Sequence, residues 1–204
     1  MKLLKRICLL AALLAGFSWL SGVLRDRQTL SENLVRLHVV GASNSEADQT
    51  AKLAVRDALI AQYGDLLAGA EDAQQAQVLL GEQLSALEAA ANEALLAAGS
   101  EDTATVQLLR EPFSARDYDT FSLPAGVYCS LRVTIGEGEG KNWWCVVFPS
   151  LCMATDSSAL ADSAAGAGFS EELTATLTHE DGHELRFFVL DALGWVQNWL
   201  FGRE

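Results

Sequence analysis

His179-Glu180-Asp181-Gly182-His183 spells H-E-x-x-H, the pattern in which two histidines one helical turn apart hold zinc and the glutamate activates a water. That chemistry needs a continuous helix and a third ligand. Asp181-Gly182 is a turn-forming pair at the middle of the pattern, and the remaining histidine, His38, is far away in sequence. An exposed turn or a helix end is the expected setting, with no metal bound. Gly136-Glu137-Gly138-Glu139-Gly140-Lys141 has the glycines of a phosphate-cradling loop, but such loops open a helix. Here a strand pattern follows, and Glu137 and Glu139 would repel an anion. Asp119-Thr120-Phe121 lacks the glycine that follows Asp-Thr in an aspartic-protease loop, and it has no second copy. No nucleophile stands paired with a base, so no catalytic residue and no cofactor are expected.

Trp143-Trp144 follows directly behind those glycines. Neighbouring strand residues point to opposite faces, so one indole can enter a core while the other must be met elsewhere. A partner could meet it, since tryptophan is favoured at interface hot spots; so could a helix or loop covering the second face. Both readings stand. Cys145 and Cys152 enclose Phe148-Pro149-Ser150-Leu151, a spacing that suits a disulfide or two buried thiols equally well. Cys8 lies in the N-terminal apolar segment, which leaves Cys129, Cys145 and Cys152, enough for one bridge and one spare thiol.

The elements that must position these residues begin with an export segment. Lys2, Lys5 and Arg6 precede an uncharged run from Ile7 to Leu24, closed by Arg25-Asp26-Arg27. A basic start followed by an apolar stretch is the pattern of a secretory signal, and eighteen residues also approach the length of a membrane span. Cleaved signal and retained anchor are both open, and either places the functional chain outside the cytoplasm. An oxidising compartment there favours disulfide formation. The 204 residues carry a net charge of −13; beyond Leu24 there are 11 basic against 27 acidic residues. Such a surface repels phosphate, so neither nucleic acid nor an anionic lipid headgroup is an expected partner, and membrane contact is expected only through residues 1–24. The division expected is 1–24 signal peptide or anchor, 25–33 linker, and 34–201 a single domain.

Within that domain Val35, Leu37 and Val39 alternate with Arg36 and His38, predicting a half-buried strand over 34–40. Ser45 followed by Asp48 starts a helix reaching about Gln62, stopped by Gly64, and a second long helix spans about 72–98. The texture then turns to strands: 103–109, 128–135 and 142–149, the last two predicted to form a hairpin with the glycines at its tip. Residues 153–168 read as a loop or mobile linker. Ser170 starts a helix, 184–188 reads as a strand, and 189–201 has helical spacing. The fold class is α+β: two N-terminal helices packed on a small, mostly antiparallel sheet, with a C-terminal helix.

Tyr118, Leu123-Pro124-Ala125-Gly126-Val127-Tyr128 and the stretch from Leu131 through Gly136-Glu137-Gly138-Glu139-Gly140-Lys141-Asn142-Trp143-Trp144-Cys145 to Cys152 closely resemble the stage II sporulation protein R family. So do Arg36-Leu37-His38-Val39-Val40, Asn44-Ser45, Asp48-Gln49, Lys52-Leu53 and Val55-Arg56-Asp57-Ala58, with Leu185-Arg186-Phe187 and the helix after it. The resemblance runs from about Leu34 to Leu200. Cys129 departs from the family pattern as an extra thiol, and 153–168 matches poorly. What the resemblance implies is a secreted signalling protein of endospore formation and no enzyme. It would be exported from the forespore into the space between the two membranes. There it would act as a protease activator, triggering the membrane-embedded aspartic peptidase that processes pro-sigma-E. Gly136, Gly138, Gly140, Asn142, Trp143 and Trp144 are the expected receptor contacts. The alternatives from other classes are an extracytoplasmic metal-dependent hydrolase using His179 and His183, and an envelope scaffold.

Overall fold

Arg36 and His38, assigned by alternation to an outer polar face, are both buried. The strand that carries them, β1 (Val35–Val40), is not half-buried: all six of its residues are inside. The computed structural model describes residues 1–67, 69–151, 157–180 and 182–201, and it places β1 in the interior of a four-stranded sheet. The other strands are β2 (Ala104–Phe113), β5 (Gly126–Ile135) and β6 (Asn142–Phe148), in the order β2-β5-β1-β6. Two short strands, β3 (Arg116–Asp117) and β4 (Ser122–Leu123), pair separately. β1 runs parallel to β5 and antiparallel to β6, while β2 and β5 are antiparallel. The protein is thus α+β with a mixed sheet in which antiparallel pairing predominates.

This order corrects the hairpin. β1 lies between β5 and β6, so residues 136–141 cross the end of β1 instead of tipping a two-stranded ribbon. Gly140 N donates to Gly41 O at 2.8 Å, Glu139 N to Ala42 O at 3.2 Å, and Lys141 N to Asn44 Oδ1 at 2.9 Å. Two alternating runs joined by glycines look the same whether they pair directly or straddle a third strand. The third strand comes from almost a hundred residues upstream, which local pattern cannot register.

Helices cover both faces, which is why the central strand is wholly buried. On one face lie α2 (Glu46–Leu67), α3 (Ala73–Glu82) and α4 (Leu84–Ala97), which bury Val55, Leu59, Leu80, Leu87 and Leu95 against Val35, Leu37, Val39, Leu131 and Val133. The expected second helix is therefore two, broken at Gln83, with Asp72 capping the first by accepting from Gln75 N at 2.8 Å. α2 continues past Gly64, whose Cα faces open space. The opposite face is covered by α1 (Lys2–Asn33), α5 (Ser157–Gly166), α6 (Glu171–Leu177) and α7 (Glu184–Phe201).

On that second face three expectations change. Residues 25–33 are helical, the last turns of α1, and Val23 and Leu30 join the core with Leu173 and Leu190. Ser157–Gly166, expected as loop, is helix α5: its small Ala and Ser residues tolerate a helix, and Leu160 and Ala164 bury one side of it. Residues 184–188, expected as strand, belong to α7, because Leu190 and Leu193 set a helical stripe that Arg186 and Phe187 extend upstream. Ser170 caps α6 as expected, accepting from Leu173 N at 3.1 Å. α1 is long and apolar enough to cross a membrane, with mean hydropathy 2.2 in its most apolar window, and its leucines from Leu3 to Leu14 are exposed. That is compatible with an export signal or an anchor.

Candidate functional site

β6 sits at the end of the strand order, and its first three residues open one wall of a cleft of about 620 Å³. The second wall is α2, through Arg56, Asp57 and Ile60; the third is the β3–β4 turn, from Arg116 to Phe121. Strand alternation divides the tryptophans as expected. Trp143 turns toward α2, where the Arg56 guanidinium lies 4.4 Å from its ring centroid. Trp144 turns to the other face, stacked on His38 at 5.6 Å and with the Arg116 guanidinium 3.8 Å from its ring centroid. Each indole is thus clamped by an arginine, an attraction of ~0.5–1 kcal/mol when wet and ~2 when desolvated. The second face is covered, as one of the two readings required, yet Trp143 keeps 37% of its surface exposed. Asn142 adds a polar demand: its Oδ1 is buried and without a hydrogen-bond donor among the described residues.

Beneath Trp144 is a buried polar cluster that alternation hid by assigning it to solvent. Arg36 is fully buried; its Nη2 donates to Tyr118 Oη at 2.7 Å and its guanidinium lies 3.9 Å from the Phe113 ring centroid. His38 Nδ1 is 3.0 Å from Glu111 Oε1, and Arg132 Nη1 donates to Glu111 Oε2 at 3.4 Å. Burial pushes the Glu111 carboxyl up, but the interactions with His38, the Ser130 side chain and the Arg132 charge outweigh it, leaving it below its usual range. Tyr118 belongs to both places: it lines the cleft and receives the Arg36 hydrogen bond. Whatever sits on Trp144 therefore rests on His38 and Glu111.

The predicted glycines serve the fold around this cleft. Gly136 and Gly138 take φ of 55° and 70°, a left-handed backbone that favours glycine. A Cβ on Gly140 would lie 2.3 Å from Ser43 O. These glycines lock the crossing loop onto the β1–α2 turn and so fix Asn142 at the head of β6. Lys52 holds the same loop from beneath: buried, its Nζ donates to Gln49 Oε1 at 2.6 Å and Lys141 O at 3.0 Å. Cys145 is buried on β6; a Cys145–Cys152 pairing involves Cys152, which lies outside the described residues.

The H-E-x-x-H residues are elsewhere and not on one helix. They fall between α6 and α7, with His179 at φ 56° and Gly182 at φ 90°; Asp181 lies outside the described residues. His179 packs on Phe187 at 4.6 Å, and His183 Nδ1 is 3.3 Å from Thr176 Oγ1. The zinc pattern thus lacks the helix that would aim both imidazoles at one ion. Arg116 was not singled out by the sequence, and Arg56 and Tyr118 entered only among the residues of the family resemblance, because nothing local marks the three as neighbours of Trp143 and Trp144.

Residues 31–158, which carry every wall of the cleft, match the family model described as Stage II sporulation protein R. The Stage II sporulation protein R of Bacillus subtilis (strain 168) is 26% identical over 187 residues, spanning 83% of this chain and 82% of that protein. No solved structure matches the chain.

Proposed function

The chain belongs to the stage II sporulation protein R family, and from that premise we propose that it is the exported signal that switches on the membrane-embedded aspartic peptidase processing pro-sigma-E. It is a sporulation protein; the proposal concerns how it acts. The reading is that of a ligand, made in the forespore and delivered to the space between the two membranes, where the cleft beside β6 receives part of the peptidase. The observation that carries it is Trp143: a large indole left 37% exposed at the mouth of a cleft, with the Arg56 guanidinium 4.4 Å from its ring centroid. Tryptophan and arginine are the residues in which interface hot spots are enriched. The apolar start of α1 supports export, and the acidic body suits a soluble signal.

The two tryptophans separate signalling from folding. Trp143→Ala, in a sporulating host, is expected to be exported and folded like the parent while pro-sigma-E cleavage falls by about thirtyfold or more, the loss of a hot spot of ~2 kcal/mol. Trp144→Ala removes the ring that His38 and Arg116 contact and is expected to destabilise the fold itself by ~2–4 kcal/mol, read as a lower urea midpoint. Normal cleavage with Trp143→Ala at normal exported level would sink the cleft as the receptor surface.

A further inference from the structure

α7 turns an apolar stripe outward. Leu185, Phe188, Trp195, Val196, Trp199 and Leu200 are each between 45% and 68% exposed. Their spacing puts them on one flank of the helix, opposite the flank that carries Leu190, Gly194 and Asn198. α7 has three charged residues, and two are turned inward: Arg186 pairs with Asp26 at 2.6 Å, and Asp191 Oδ1 accepts from Ala125 N at 2.8 Å. Glu184, at the first position, is the third. On a protein of net charge −13, the outward face from Leu185 to Leu200 thus carries no charge.

The position of α7 says what this face meets. Arg186 reaches Asp26 and lies 3.2 Å from where a Gly22 Cβ would be. Gln197, roughly 16 Å further along α7 at ~1.5 Å per residue, accepts from Arg27. Both contacts fall on α1 within residues 22–27, where the apolar run Ile7–Leu24 ends. Beyond them α1 buries Leu30 in the core, whereas the leucines of its apolar run, Leu3 to Leu14, are exposed, so the α7 stripe lies next to the foot of an exposed apolar helix.

We propose that α7 is an interfacial helix: its Leu185–Phe188–Trp195–Trp199 face seats in the surface of a lipid bilayer beside the point where α1 enters it. This extends membrane contact beyond residues 1–24, and it does not depend on what the cleft binds. Tryptophan suits the headgroup level, where an amphipathic ring is half apolar and half wet. Because the body is acidic and the stripe uncharged, seating needs no anionic lipid and works on neutral phosphatidylcholine.

The test uses the full chain with Trp19→Phe and Trp143→Phe, so that Trp195 and Trp199 are the exposed indoles left, reconstituted in phosphatidylcholine vesicles whose acyl chains are brominated near the headgroup. Emission from Trp195 and Trp199 is expected to be quenched by bromine and shielded from aqueous iodide, and about half or more of the bromine-sensitive signal is expected to vanish in Trp195→Phe. Phe188→Glu, a surface change, is expected to restore iodide access with the near-ultraviolet circular dichroism of the fold unchanged. Iodide quenching of Trp195 in the bilayer-bound parent would overturn the proposal. So would shielding from both quenchers in a cross-linkable dimer, which would assign the stripe to a second copy.

Discussion

Gly194→Ala is expected to cost more than ~3 kcal/mol and to detach α7 from the sheet, beyond the usual range for one added methyl. A Cβ at this position would lie 1.5 Å from Ala125 O and 2.3 Å from Ala125 C. Both are backbone atoms at the entry to β5, pinned by Asp191 on Ala125 N and by the Tyr128 hydroxyl on Pro124 O at 2.7 Å. No side-chain rotation relieves such a contact; the helix must move. Moving it also breaks the Asn198 Nδ2 bond to Phe113 O and the packing of Leu190. Gly64→Ala is the matched comparison. Gly64 lies inside α2 with nothing within 4 Å of its missing Cβ, so alanine there is expected to stabilise by ~0.5–1 kcal/mol. Urea midpoints of the two variants should move in opposite directions. An unchanged midpoint in Gly194→Ala would mean that α7 does not close on Ala125 as described.

That contrast shows which parts of the fold local sequence can report. Helices α2 and α6 were legible because their caps and apolar stripes lie within a dozen residues: Ser45 with Asp48, Ser170 with Leu173. The division of Trp143 from Trp144 followed from strand alternation alone. What misled was topology. β1 reads as half-buried because Arg36 and His38 are polar, and only the helices that cover the second face of the sheet put both inside. The insertion of β1 between β5 and β6 turned a predicted hairpin tip into a loop crossing a strand end. It also brought Arg56 and Arg116, sixty residues apart, to opposite sides of one Trp-Trp pair. The glycines were singled out as receptor contacts, and their backbone angles and the 2.3 Å approach at Gly140 add a folding task that the sequence did not reveal.

The buried cluster behind Trp144 carries the other large effect. Glu111→Gln keeps the shape and a hydrogen-bond acceptor for His38 but removes the one carboxylate that His38 and Arg132 share. Because Glu111 and His38 are about nine-tenths buried, the loss is expected to reach ~2–3 kcal/mol, the upper range for a hydrogen bond to a charged group. Its pH dependence has a fixed sign. The native carboxyl titrates below its ordinary 4.5, so the unfolded chain takes up the proton first as pH falls. The stabilisation is therefore complete above about pH 4.5 and is lost as pH drops through the native value. Parent and Glu111→Gln should converge as the solution is made more acidic than about pH 4.5. A gap that persists unchanged well below pH 4.5 would show that the charge of Glu111 is not what holds His38. Convergence would mean that the floor of the cleft is electrostatically tied, since Trp144 stacks on the imidazole that Glu111 fixes. In that case acid should loosen Trp144 before it unfolds the sheet, and Trp144 emission, followed in a chain whose Trp19, Trp143, Trp195 and Trp199 are replaced by Phe, should shift to the red at a higher pH than the loss of strand signal.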